Sequence, residues 1–207
     1  MIDTTVTVWG RLNSANVQKV LWCLADLQVA YRIIPAGGVD GGLDTDDFAK
    51  LNPNKLVPVL VDKGVALWES NVIVRYLCKQ YGAQLAYRDD PLQQALEERW
   101  VDWYGTELGG LMTSLWGHFK RGKTLEPALL TSRLERAAQL WDIIDRELAD
   151  RIFIGGKSPG VADYSLGAAV HRWASIRGDA VSANVSRWYQ ALAARPVFER
   201  HITAAPL

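Results

Sequence analysis

A proline stands where the pattern asks for a strand. Val57–Val61 (VPVLV) is apolar and β-branched, yet Pro58 lies inside it and cannot donate to a ladder. Either the strand is an edge strand, or the Val57–Pro58 bond is cis, a conformation rarely kept without a use. A cis bond would turn the N–H and C=O of Val57 out of the sheet, where an extended peptide ligand can pair with them. Further on, Glu69-Ser70 marks the passage from a short strand into a helix. Ser70 is a good N-cap, and a helix start offers free N–H groups and a positive dipole end to a carboxylate. Glu69 can accept from an ammonium group. Taken singly, Ser70 is only a cap and Glu69 only a solvated turn residue; it is their combination with Val57-Pro58 that suggests a site. Near the start of the chain Asn13, Ser14 and Asn16 form a polar turn before a helical stretch, and either Ser14 or Asn16 can cap it. Cys23 and Cys78 lie well inside helical stretches with no second cysteine at C-x-x-C spacing, so both read as small core hydrophobes rather than nucleophiles.

The elements that must position these residues alternate at first. Thr5–Trp9 has strand character, Val17–Leu27 places Val17, Val20, Leu21, Leu24 and Leu27 on one helical face, and Tyr31–Ile34 is a second strand. A glycine-rich loop and a short acidic helix near Asp44–Lys50 lead to the turn Asn52-Pro53-Asn54-Lys55 and the proline-bearing strand. Lys63-Gly64 turns into a partner strand at Ala66–Trp68, and Ser70–Tyr81 is helical. The order is β-α-β-α-β-β-α. Beyond it only helical patterns recur: about Leu92 to Trp116, Pro127 to Ala149, Val161 to Ile176 and Val185 to Ala194, with Pro91 suited to a first turn. We therefore expect an α/β domain over residues 1–81, a linker at 82–89 and an all-helical domain over 90–207.

Composition excludes several function classes. The 23 basic and 23 acidic residues cancel, which removes the electrostatic reason to expect nucleic acid or an anionic membrane as partner. Two cysteines cannot make a disulfide framework or a four-thiolate zinc site, so a reducing, cytoplasmic setting without a metal is expected. No basic-then-apolar leader and no run long enough to span a bilayer is evident. Nine tryptophans are unusual, and most of them fall in the helical half.

Asn52-Pro53-Asn54-Lys55-Leu56-Val57-Pro58 followed by Leu67-Trp68-Glu69-Ser70 resembles the glutathione-binding half of cytosolic glutathione S-transferases. The resemblance covers the whole chain: a thioredoxin-like domain with a cis proline, a linker, then a helical bundle with Gly155–Asp163 (GGKSPGVAD) before a helix. It implies a bacterial-type member with a serine-type site, similar also to the Nu-class disulfide reductases. Glutathione is the implied co-substrate, beside a small electrophilic or disulfide substrate, and a homodimer is the implied assembly.

On that resemblance Ser70 and Glu69 receive the γ-glutamyl end, Val57 pairs through its backbone beside Pro58, and Lys55 meets the glycine carboxylate. Ser14 falls on the serine that holds the thiolate, and Asn16 on the asparagine of the disulfide-reducing relatives. For both, simple helix capping is the competing role. No tyrosine ends the first strand, which disfavours tyrosine-type chemistry. Trp9, Arg11 and Asn13 are placed at the pocket's border. In the helical half, Trp103, Met112, Trp116 and Phe119 are candidates for an apolar electrophile pocket, while His118, Lys120, Arg121 and Lys123 read as a solvated loop in preference to an anionic-acceptor site. Relatives usually carry Ser or Thr where this chain has Gly160. Asp163 is then expected to be buried, accepting backbone N–H bonds and serving folding, not catalysis. The leading reading is a transferase, ahead of a glutathione-dependent disulfide reductase and of a non-catalytic ligand carrier.

Overall fold

The computed structural model describes residues 5–83 and 89–205. The expected linker at 82–89 thus lies mostly outside the described residues. Strand β1 (Val6–Trp9) leads into helix α1 (Ala15–Asp26), β2 (Tyr31–Ile34), a 3₁₀ turn (Gly38–Asp40), α2 (Asp46–Leu51), β3 (Val59–Asp62), β4 (Val65–Trp68) and α3 (Ser70–Tyr81). The sheet order is β2-β1-β3-β4. β1 runs parallel to β2 with Val8 opposite Ile33, and antiparallel to β3 with Val8 opposite Leu60; β3 and β4 form a hairpin. Lys63 and Gly64 both have positive φ at its turn, as a tight primed turn requires. This is a thioredoxin-like α/β layer.

The proline puzzle is resolved by position. β3 is an interior strand, which overturns the edge-strand alternative, and Pro58 lies just before its first ladder residue rather than inside it. The Val57–Pro58 bond is cis.

An all-helical half follows: α4 (Pro91–Trp103), a π-helical turn (Tyr104–Leu108), α5 (Gly109–Lys120), α6 (Pro127–Glu147), α7 (Val161–Arg177) and α8 (Ala183–Ala193). A helical turn at Pro196–Phe198 that runs on as Glu199–Thr203 closes the described chain. The sequence pattern suggested one helix from Leu92 to Trp116. The π turn divides it, and its additional residue rotates everything downstream by about 100°.

Helix α1 is buried on every side from Val17 to Leu24, Gln18 and Lys19 included. The spacing of Val17, Val20, Leu21, Leu24 and Leu27 suggested one apolar face, and α3 packs against the helix as that requires. The other side is covered by α7 and the C-terminal turn, with the Trp22 ring 4.8 Å from both Tyr164 and Phe198. Cys23 and Cys78 meet in this core, Sγ to Sγ 3.9 Å, and burial pushes the Cys23 thiol up, the wrong direction for a nucleophile.

Asp163 is the buried anchor of the helical half. Its carboxylate accepts from the N–H groups of Ile154 (2.9 Å), Gly155 (2.8 Å) and Gly160 (2.9 Å), and from Trp188 Nε1 (2.8 Å). Burial raises its pKa while those donors oppose the shift. Gly160 is the cap of α7, and a Cβ there would run into the carboxylate of Glu97. Glu97 on α4 thus occupies the space that a capping Ser or Thr side chain would take, and brings a negative group to the positive end of α7.

Candidate functional site

The loop before β3 is braced by one buried side chain. Asn52, 3% exposed, donates from Nδ2 to the Leu56 carbonyl (2.8 Å) and accepts from the Asn54 N–H (2.9 Å) through Oδ1. It holds Leu56 and Val57 where they border an open cleft of about 250 Å³ between the two halves. Asn52→Ala would remove both bonds and leave a small void where the buried amide sits. We expect about 1–2 kcal/mol of lost stability in urea denaturation, from two hydrogen bonds worth about 0.5–1.5 kcal/mol each, and a shift below about 0.5 kcal/mol would contradict this bracing role.

Ser14 lies across the cleft from that loop. It is the N-cap residue of α1 with extended backbone, yet its side chain makes no capping hydrogen bond. Its hydroxyl is therefore uncommitted at the positive end of a helix. Asn16, exposed in the first turn of α1, lines the same cleft. Of the residues expected here, Ser14, Asn16, Val57 and Arg11 border it directly, whereas Trp9 and Asn13 do not line it.

The other predicted residues of the α/β layer stand around it. Ser70 is buried but is the first residue of α3, not its cap. Glu69 takes the cap position, with φ 68°, a left-handed conformation uncommon for a residue with a side chain. Lys55, also at positive φ, is partly exposed 3.7 Å from Asp44. Trp9 packs edge-on against Phe48, 6.0 Å between ring centroids, in a small second core.

The apolar pocket expected from the helical half does not form at the cleft. Met112 and Trp116 are buried, Phe119 is exposed beside His118, and Trp103 borders a separate groove with Arg99, Trp100, Ile143 and Glu147. None of the four lines the cleft beside Ser14. Tyr104, at the start of the π turn, and Thr113, beyond it, line the cleft instead; the shifted register after the turn brings Thr113 there and not Met112. Arg121 and Arg172 join them, and Arg121 Nη2 donates to the Asn13 carbonyl (2.7 Å), tying the two halves together. Arg121 belongs to the segment expected to be a solvated loop. Arg172 had no sequence signal, because a lone arginine in a helix reads as a surface charge.

Two family models match the chain: glutathione S-transferase, N-terminal domain, over residues 4–79, and glutathione S-transferase, C-terminal domain, over residues 124–191. Glutathione S-transferase GstB of Escherichia coli K12 is 34% identical over 200 residues, covering 94% of this chain and 96% of that protein. The chain belongs to the glutathione S-transferase family. A solved theta-class glutathione S-transferase from Xanthomonas axonopodis pv. citri, with glutathione bound, superposes with a TM-score of 0.87 at 36% identity, covering 95% of this chain and 96% of that one. The disulfide-bond oxidoreductase YfcG of Escherichia coli K12 is 26% identical over 204 residues, covering 93% and 92%.

Within this glutathione S-transferase, a buried lysine packs behind Tyr104, one of the cleft residues. Lys19 Nζ donates to Asn71 Oδ1 (2.7 Å) and sits 5.0 Å over the Tyr104 ring. Burial lowers its pKa from 10.5 to about 7, with Glu69 pulling the other way. Above about pH 7 the folded protein holds the neutral amine, whereas the unfolded chain keeps its proton up to about 10.4. The unfolded state then binds more protons, so Lys19 makes stability rise with pH across that window. Denaturation midpoints followed from pH 7 to 10 should show that Lys19→Met removes part of this rise. Parallel curves for the two proteins would count against a buried, neutralised amine.

Proposed function

We propose that this chain is a glutathione transferase in which Ser14 stabilises the glutathione thiolate for attack on an electrophilic substrate. The observation that carries the reading is the uncommitted Ser14 hydroxyl at the N-terminus of α1, facing a cleft bordered by Val57. An ordinary thiol has a pKa of about 8.5 and is only a few per cent ionised near neutrality. Lowering it by about two units takes roughly 2.7 kcal/mol of preferential thiolate stabilisation. A hydroxyl donor aided by a helix dipole is suited to that. The thiol proton goes to water and the protein supplies no covalent nucleophile.

In this reading Val57 pairs through its backbone with the peptide part of glutathione, next to Pro58. Ser70 and the start of α3 receive the γ-glutamyl carboxylate, Glu69 its ammonium group, and Lys55 the glycine carboxylate. Asn16 makes a second contact near sulfur. The division into a glutathione-binding domain at 1–81 and a helical domain from 90 belongs to the same proposal. So does a homodimer, supported by the exposed apolar Val72, Leu92 and Leu96 on α3 and α4. No helix among the described residues is long and apolar enough to cross a membrane; a cytoplasmic location belongs to the same proposal.

The test is a titration of the protein with glutathione at pH 6.5, following the ultraviolet absorbance of thiolate. A saturable thiolate band is expected. Binding without the band would favour a carrier role, and no binding would overturn the reading. The position of Asn16 beside Ser14 and the likeness to YfcG favour disulfide reduction as the second reading. A mixed disulfide turned over faster than a haloaromatic electrophile would select it.

A further inference from the structure

The cleft beside Ser14 carries charge that none of the glutathione roles uses. Arg11 from the turn after β1, Arg121 at the end of α5 and Arg172 on α7 all line it, and among the described residues no aspartate or glutamate does. Arg172 most needs a reason. It is 8% exposed, its guanidinium lies 5.0 Å over the Trp116 ring, and among the described residues no carboxylate is within ion-pairing distance. Burying a cation without an acid is costly unless something else completes the site. Burial lowers its pKa to about 10; Tyr104 opposes that, and the Arg121 and Arg11 charges add to it, so the group is still cationic at neutral pH.

The other two arginines are held in place by neutral acceptors. Arg11 Nη1 donates to Asn13 Oδ1 (3.1 Å), and Arg121 Nη2 donates to the Asn13 carbonyl (2.7 Å). One asparagine thereby fixes both guanidinium groups without cancelling either charge. Arg11 also lies against Gly38, at φ +62°, where a Cβ would come to 3.0 Å from Arg11 Cδ. Meanwhile the four residues expected to form an apolar electrophile pocket lie elsewhere, leaving Tyr104 as the aromatic lining residue and Ala15, Leu43, Leu56 and Val57 as the aliphatic ones.

We propose that Arg11, Arg121 and Arg172 form an anion receptor, and that the second substrate is a small electrophile bearing a carboxylate. The receptor holds the carboxylate so that the reacting carbon lies against the thiolate at Ser14, and charge-assisted bonds to guanidinium fix its orientation. The proposal rests on the transferase reading and adds the substrate class to it. With a halide leaving group, the sulfur lone pair forms the C–S bond as the C–halide bond breaks. The halide leaves with the bonding pair, and the thiol proton has already passed to water.

Iodoacetate and iodoacetamide are the probes: the same electrophilic carbon, charged and neutral. Each is supplied to the full chain with saturating glutathione, and kcat/KM is divided by the uncatalysed rate constant with glutathione. The expected enhancement is at least about tenfold larger for iodoacetate. Arg172→Met, which keeps an apolar stem on Trp116, and Arg121→Gln, at an exposed position, should each lower the iodoacetate value about tenfold and the iodoacetamide value by no more than about twofold. Cys23 and Cys78 are buried away from both reagents. If Arg172→Met fails to fold, Arg121→Gln and the ratio in the unmodified protein decide. Equal enhancement of the two probes, or variants that lose both together, overturns the receptor and leaves the transferase reading standing. A rise in the glutathione dissociation constant without any change in discrimination assigns the arginines to glutathione and overturns it too. Acceleration of neither probe overturns both readings.

Discussion

Ser14→Ala should abolish the thiolate band of bound glutathione at pH 6.5 while changing its dissociation constant only a few fold. The serine is expected to act on the sulfur, whereas affinity is spread over Val57, Glu69, Ser70 and Lys55. If the hydroxyl supplies half or more of the roughly 2.7 kcal/mol needed to ionise the thiol, kcat/KM for conjugation falls about tenfold to a hundredfold near neutral pH. The loss should shrink as the pH rises past about 8.5, because free thiol then ionises without help. That convergence distinguishes loss of thiolate stabilisation from a general disturbance of the site. Because the Ser14 side chain makes no capping bond, stability should change little, unlike the usual serine cap. An unaltered pH profile would remove Ser14 from the role and leave Asn16 as the nearest donor in the cleft.

Asp163→Ala should have the largest effect on stability. The substitution strips the acceptor from the buried N–H groups of Ile154 and Gly160 and Trp188 Nε1, and from the partly buried N–H of Gly155, all in the helical half. Each buried unpaired donor costs about 1–3 kcal/mol. Even with partial rearrangement a loss of about 4–5 kcal/mol is expected, a large share of the 5–15 kcal/mol that holds a typical domain together. Asp163→Asn keeps the shape and part of the acceptor capacity, so it should cost less. Thermal unfolding of the pair checks this, and equal midpoints for Asp163→Ala and the unmodified protein would contradict it. Gly160→Ser should also destabilise, although serine is ordinarily the better cap, because Glu97 already fills the space.

The amino-acid sequence by itself determined the α/β half almost element by element. Strand alternation, helical periodicity and the turn chemistry at Asn52–Lys55 and Lys63-Gly64 are local signals, and local geometry answers them. The same holds for Asp163, whose spacing from Gly160 places it in the first turn of α7. Where burial depended on a distant partner, the pattern was incomplete. Helix α1 showed one apolar face, and only the packing of α7 explains why Gln18 and Lys19 are buried as well. Ser70 looked like a cap, and the backbone turn at Glu69 displaced it by one residue.

The acceptor side of the cleft was decided by the tertiary structure. Asn13 and Arg121 lie 108 residues apart and meet through one hydrogen bond. Arg172 reaches the same cleft from a third helix, and no periodicity links it to the other two. The π turn at Tyr104–Leu108 shifts the helical register, so Trp103 before it and Met112, Trp116 and Phe119 after it do not form one stripe, and none of the four lines the cleft. A sequence specifies where a helix starts and which face is apolar through neighbours within one or two turns. Which side chains from separate helices share a cleft depends on how those helices cross, and that is set by the whole core at once.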